Sequence, residues 1–344
     1  MTRELLDSFW RAAAYCLHPK VIALSLLPLL IVGGAAAALG YWFWEPAVAD
    51  MRAWLENNAL LEPLFAWLRA VGAGGWASVL APLVVVALAV PRGDRAGAAP
   101  VRGLRIEILD VGQGDAILLE PSGAPAVLVD GGPPGDDLAS KLEDAGVDGL
   151  GAAVITHDQS DHAAGVEELL GRFPVGRLVY GRLHRRTLAE ATAAGVKPER
   201  VAAGSELDSG NLRLQVLWPP RDLLVAAVPG EDPNQLALVM EARWRDFTML
   251  LTADAEAESV SLDPGPVDVL KVAHHGSDDA GLGPLLDRIQ PQLAVISVGQ
   301  DNPYGHPTQG TLSTLAEHGV PTLRTDEDGT VVIDVSKGSF RVDG

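Results

Sequence analysis

Residues 154–165 read VITHDQSDHAAG. A short apolar run ends in Thr-His, and His157, Asp158, Asp161 and His162 then fall within six residues. Two readings fit this stretch. It is a metal-binding loop at the end of a strand, or a polar loop in which Asp161 caps the helix that HAAGVEELLGRF predicts. The choice depends on what else the chain brings to the same place.

Outward from this stretch the pattern is that of an αβ domain. LRIEILDVG alternates, DAILLEP and AVLVDGG are short apolar runs closed by Pro or Gly, and LGAAVITH is a third such run. RLQVLWP, LALVMEARW, FTMLLTAD, VDVLKVAHH, LAVISVG and TVVIDV follow, each of strand length. QGTLSTLAEHG reads as a second helix. Strands dominate, so one domain with two sheets is expected. VITH, LLTAD, VLKVAHH and VISVG all end an apolar run with a polar group, and sites in layered αβ domains collect at such ends.

Five of the eight histidines lie in three short motifs: His157 with His162, His274 with His275, and His306 in NPYGHPT. Asp161 stands beside His162, and Asp254 ends LLTAD. A divalent ion needs imidazole nitrogens and carboxylate oxygens from separate segments. It lowers the pKa of water and so supplies a nucleophile for a phosphoryl or carbonyl centre. His184 in GRLHRR reads as a surface loop residue, and His318 as the end of a helix. The chain has one cysteine, Cys16, which excludes an intrachain disulfide and a cysteine-based zinc site.

The order of the motifs is more telling than any one of them. ILDVGQGDAILLE, VLVDGG, VITHDQSDHAAGVEELL, DPNQLALVM, MLLTADAEAE, DVLKVAHHGS and ISVGQDNPYGHPT together resemble the soluble domain of the ComEC competence-protein family, over nearly all of residues 104–344. That resemblance implies a metallo-β-lactamase-like αββα sandwich with a metal centre at one edge, holding one or two Zn or Mn ions. It implies metal ligation by His157, Asp161, His162, Asp254 and His274. Catalytic roles fall to Asp161, His274, His275 and His306. Asp130 would orient the metal loop, and Asp110, Gln113, Asp115 and Asp158 belong to the surrounding motifs. The chain departs from the pattern at Gln159, where a ligand is usual, at Ala253, where Gly precedes the aspartate, and at NQLAL. One ion held by Asp161, His162, Asp254 and a downstream histidine is the simpler expectation.

The first hundred residues differ in kind. Val21–Leu39 and Ala70–Val90 are uncharged runs of 19 and 21 residues, long enough for two membrane spans. The aromatic cluster YWFW follows the first run. Leu5, Leu6, Phe9, Trp10 and Ala13 share one helical face, which predicts an interfacial helix. This region is similar to the start of the CysZ-like sulfate permease family. The expected organisation is therefore a membrane segment over 1–91, a linker over 92–103 and a hydrolase domain over 104–344. Residues 1–100 hold seven basic and seven acidic side chains, so residues 101–344 carry the whole excess of acid, 19 basic against 38 acidic.

The expected location is the bacterial inner membrane. Lys/Arg counts around the runs place both ends in the cytoplasm, whereas the ComEC resemblance places the domain outside it. Three functions are carried forward: a membrane-tethered phosphodiesterase acting on DNA during uptake, a hydrolase of a small ester or lactone, and a transport or scaffold protein with a degenerate hydrolase domain. Membrane lipid, DNA and a separate channel protein are the partners these imply. A net charge of −19 repels a polyanion unless a local basic strip answers it. The densest such strip is Arg182, His184, Arg185 and Arg186, a solvated loop or a DNA contact.

Overall fold

The computed structural model describes residues 101–226, 232–260, 263–337 and 339–343, with Pro46 and Val48 apart from them. The chain divides into units 1–94 and 95–344. The two apolar runs, the interfacial helix and the CysZ-like segment lie outside the described residues. Among the described residues no helix is long and apolar enough to cross a membrane.

Among its described residues the second unit holds 15 strands in two sheets. The first sheet contains β1 (Leu104–Ile108), β2 (Ile117–Pro121), β3 (Ala126–Val129), β4 (Leu150–Ile155), β5 (Arg177–Tyr180), β6 (Lys197–Arg200), β14 (Val331–Ser336) and β15 (Ser339–Asp343), in the order β15-β14-β1-β2-β3-β4-β5-β6. The second contains β7 (Glu206–Ser209), β8 (Leu212–Trp218), β9 (Val239–Trp244), β10 (Phe247–Leu251), β11 (Val269–Lys271), β12 (Leu293–Ile296) and β13 (Thr322–Arg324), in the order β13-β12-β11-β10-β9-β8-β7.

The alternation in the sequence decides how the sheets stack. Leu104, Ile106 and Ile108 of β1 meet Leu214, Met240, Ala242 and Met249 of the other sheet in one buried cluster. In β4, Ala152 and Val154 join that cluster, while Ala153 and Ile155 point the other way. There they meet α1 (Leu138–Asp144), α2 (Ser160–Leu169) and α3 (Arg185–Ala193). On the far side Leu250, Leu270, Ala294 and Ile296 pack under α5 (Leu282–Ile289) and α6 (Gln309–Glu317). Short helices α4 (Arg221–Ala226) and α7 (Thr325–Asp328) complete the set. Four layers, αββα, result. Each fully buried Leu or Ile in them contributes roughly 1.5–3 kcal/mol.

Each sheet has a parallel half: β3 to β6 in the first, β10 to β13 in the second. Parallel strands finish on one edge, so the segments after β3, β4, β10, β11 and β12 come together there. Backbone bonds tie the edge across the layers. Leu238 N donates to Thr156 O at 3.1 Å, and Asp115 N to Asp161 O at 3.2 Å. The middle of α2 lies so close to the turn after β3 that a Cβ on Gly165 would sit 1.9 Å from Gly131 O.

Candidate metal centre

Asp130 follows β3 and is buried, with φ 59. It accepts from Thr156 N at 2.8 Å and Thr156 Oγ1 at 2.7 Å, and His162 Nδ1 donates to its Oδ2 at 2.9 Å. The bond fixes the tautomer of His162, leaving its Nε2 lone pair free. That nitrogen faces Asp254 Oδ1 at 3.0 Å. His275 is arranged the same way. Its Nδ1 donates to Ser297 O at 2.9 Å, and its Nε2 lies 3.6 Å from Asp161 Oδ2 and 3.7 Å from Asp254 Oδ1.

Asp161, His162, Asp254 and His275 thus bring one ligand atom each within 4.8 Å of all the others. Donors placed around a Zn-sized ion at tetrahedral distances lie about 3.4 Å apart. His162 Nε2, His275 Nε2 and both oxygens of Asp254 are buried with no hydrogen-bond partner. Lone pairs facing lone pairs in a dry pocket are unfavourable without a cation between them. The residues therefore fit a divalent ion. In its absence protons fill the need. Burial opposes charge on His275, but Asp254, Asp115 and Asp161 outweigh it and push the imidazole up to about 9. His162, also buried, is raised well above its ordinary value by Asp254 and Asp130. Asp254 is held well below the carboxylate range despite its burial, because His162 and His275 flank it.

Other residues read from the sequence stand around this cluster. His157 is buried, which holds its pKa down at about 3. Its Nδ1 lies 3.0 Å from Thr156 Oγ1, and its Nε2, without a hydrogen-bond partner, 3.8 Å from Asp254 Oδ2. His274 does not enter the four-residue cluster; the geometry puts His275 in the place the sequence reading gave it. His274 is half-buried, with Nδ1 2.8 Å from Glu256 Oε1 and Nε2 3.9 Å from Asp254 Oδ2. The hydrogen bond to Glu256 raises its pKa. Asp254 therefore turns Oδ1 to His162 and His275, and Oδ2 to His157 and His274. The ring of His306 lies 5.6 Å from that of His274, and its Nδ1 is buried without a hydrogen-bond partner.

The outer motif residues separate. Asp115 is buried, 3.5 Å from His275 Nδ1 and 3.9 Å from His162 Nδ1. Gln113 Oε1 accepts from Gly299 N at 3.1 Å, which joins the loop after β1 to the segment after β12. Asp110 is exposed, and its Oδ1 accepts from Gly112 N within its own turn. Asp158 pairs with His184 at the rim. Asp161 lies inside the first turn of α2 and does not cap it; Gln159 holds the cap position.

Lys271 went unread in the sequence. It is fully buried at the end of β11, paired with Asp115, and Nζ donates to Ala253 O at 3.2 Å. Burial disfavours charge on Asp115, but the Lys271 ammonium and His275 outweigh it and lower its pKa. A lysine inside the apolar run VDVLKVA was the available signal. Thr156 and Glu256 were missed because a hydroxyl before His157 and one more glutamate in DAEAE carry no pattern. The backbone is left-handed at Asp130, Ala253, His274 and His275, with φ between 47 and 59. Such strain collects where surrounding contacts hold a site in place.

A model of the Metallo-beta-lactamase superfamily matches residues 109–300. The chain is 31% identical over 259 residues to ComE operon protein 3 of Bacillus subtilis, covering 66% of this chain and 32% of that protein. It is 25% identical to Competence protein ComA of Neisseria gonorrhoeae, over 76% of this chain and 37% of that one. Recombination protein 2 of Haemophilus influenzae is 27% identical, over 67% and 29% of the two chains. The chain thus spans about a third of the length of these relatives.

Proposed function

The chain belongs to the metallo-beta-lactamase superfamily of metal-dependent hydrolases, and from that premise we propose that it is a phosphodiesterase that cuts a DNA strand, held at the bacterial inner membrane by residues 1–91. The domain limits 92–103 for the linker and 104–344 for the hydrolase are part of the proposal. So are DNA and a separate channel protein as partners.

One observation carries the reading: three buried residues, His162, Asp254 and His275, hold unpartnered ligand atoms that converge with a carboxylate oxygen of the half-buried Asp161. They would hold a Zn or Mn ion, which supplies Lewis acidity and a nucleophile from water at neutral pH. The remaining work falls to the protein. Asp130 and Ser297 O fix the two imidazole tautomers, so that neither ring can turn its N–H toward the centre. His274 stands at the mouth with Glu256 sustaining its proton, where it can protonate a leaving oxygen. His306, beside it, closes the rim.

A phosphate-bearing substrate is favoured by the surface next to the centre. A depression of about 630 Å³ is lined by Asp158, Gln159 and Ser160 of the metal loop and by His184, Arg185 and Arg186. Asp158 precedes Asp161 by three residues, a reach of at most about 10 Å. Arg186 is paired with Glu190 at 2.8 Å, which leaves Arg185 as the cation that a substrate with several phosphates could meet together with the centre, whereas a small lactone could not.

The test uses the full chain purified in detergent. Metal content is measured by mass spectrometry, and turnover is followed on a single-stranded oligonucleotide and on a lactone, with Zn or Mn supplied. Bound metal with oligonucleotide cleavage is expected. No metal uptake sinks the hydrolase reading, and turnover of the lactone alone sinks the phosphodiesterase.

A further inference from the structure

We infer that the pole of the sandwich opposite the metal centre is a docking surface for an anionic phospholipid membrane. The inference rests on the membrane tether proposed above. β1 starts at this pole with Leu104 and ends at Ile108, from which the chain runs on to Asp115 at the other pole. A depression of about 900 Å³ opens beside Gly103. Five cations line it, Arg102, Arg105, Arg245, Lys337 and Arg341, against one acid, Asp334. Arg105 is taken up by Asp334 through bonds of 2.9 and 3.3 Å. Arg245 lies over the Trp244 ring at 4.6 Å. Among the described residues Arg102, Lys337 and Arg341 have no carboxylate partner. This concentration stands in a region with 19 basic and 38 acidic side chains, where the same field would otherwise repel an anionic surface.

The backbone singles out the same cations. Trp244 pairs with Phe247, which leaves Arg245 and Asp246 as a two-residue turn, and Ser336 pairs with Ser339, which leaves Lys337 first in another. Arg245 has φ 55 and Lys337 φ 48. Those are positions where Asn or Gly turns without strain. Two separate hairpins place a long cation there and present it at the same pole.

Chain continuity selects the occupant. Arg102 and Gly103 line the depression, and the chain before them carries Arg92 and Arg95 back to the apolar run that ends at Val90. The linker's twelve residues span at most about 40 Å fully extended. A membrane holding that run is therefore always within reach of this pole, at the high local concentration a short tether gives. Basic residues at such a surface each strengthen attraction to anionic headgroups. Docked in this way, the domain turns the metal centre away from the lipid.

The experiment uses the full chain carrying Asn211→Cys and Cys16→Ala, with an environment-sensitive dye on the new thiol beside the depression. It is reconstituted in vesicles of phosphatidylglycerol and phosphatidylcholine, or of phosphatidylcholine alone, each with a headgroup quencher. Docking is expected to be about tenfold more populated on the anionic vesicles, from several basic contacts. The difference should vanish in high salt and in the variant Arg245→Glu/Lys337→Glu/Arg341→Glu. Should that variant misfold by circular dichroism, Lys337→Gln/Arg341→Gln replaces it. Equal quenching on both vesicle types, or none, overturns docking on lipid charge. Protection of the dye by an oligonucleotide, with no effect of lipid composition, overturns it in favour of a nucleic-acid strand. Flotation with the vesicles in alkaline carbonate reports the tether separately. If flotation fails, the tether falls, and salt-sensitive binding of the added chain to anionic vesicles still decides the docking.

Discussion

At one pole of the sandwich Asp115, Asp130, Asp254, His162, His275 and Lys271 are nearly or completely buried, each within contact of another. At the other, Arg102, Arg245, Lys337 and Arg341 stand in solvent. Both collections of charge sit at strand ends of the same two sheets, yet their physics differs. Buried charges are strong and interdependent, because each is tolerated only through its neighbours. Exposed cations are screened and act on partners more than on one another. On the two proposals, function at the first pole is therefore chemistry at fixed atoms, and at the second, attraction over a surface.

The largest effect that tests this contrast is expected from Asp254→Asn. The amide keeps the shape but removes the anion that His162, His275, His157 and His274 all face. Bound metal should be lost and oligonucleotide turnover should fall about a thousandfold, the scale of a metal's contribution to the transition state. Metal content and kcat, measured on the same preparation, check it. Retention of both would mean that this pole is packed polar structure, and the contrast between the ends would collapse.

Next in size is Lys271→Met. Removing the ammonium leaves Asp115 buried and ionised, at a cost of about 3–5 kcal/mol in unfolding free energy. Urea denaturation of the metal-free protein reads it. Adding Asp115→Asn should recover most of the loss, because the pair then disappears together. Arg341→Met, at the exposed pole, should change stability by less than about 0.5 kcal/mol. Similar losses at both poles would break the comparison.

Much of this was legible in the residues. The apolar runs that end in polar groups marked β4, β10, β11 and β12, and the motif order placed His157, Asp161, His162, Asp254 and the His-His pair on one edge. The sequence could not separate His274 from His275. Adjacent residues usually diverge, but which one turns inward depends on two left-handed φ values that no periodicity encodes. Nor could it show Lys271 opposite Asp115, since the two lie 156 positions apart and meet only when the sheets stack. The strands β5, β6, β7, β13 and β15 were missed for another reason. KPER, ELDS and SFRVD are too polar to stand out as apolar runs, and the short runs RLVY and TLR are broken by arginine. The basic pole was invisible as a unit, because its five cations come from three separate segments.

The smallest effect concerns a departure noted in the sequence, Ala253 in the position before Asp254. Its φ of 47 is left-handed, and its carbonyl accepts from His274 N at 3.0 Å and from Lys271 Nζ. Alanine pays about 1–2 kcal/mol to stand there. Glycine would relieve that but lose about 0.4–1 kcal/mol through its freer unfolded chain. Ala253→Gly should therefore gain about 0.5 kcal/mol, read as a small rise in melting temperature with metal affinity unchanged. Arg245→Gly meets the same backbone preference at the other pole, but it also gives up the contact with Trp244. Its gain should be smaller, because the strained residue there is held by a stacking partner and not by a network of buried charge.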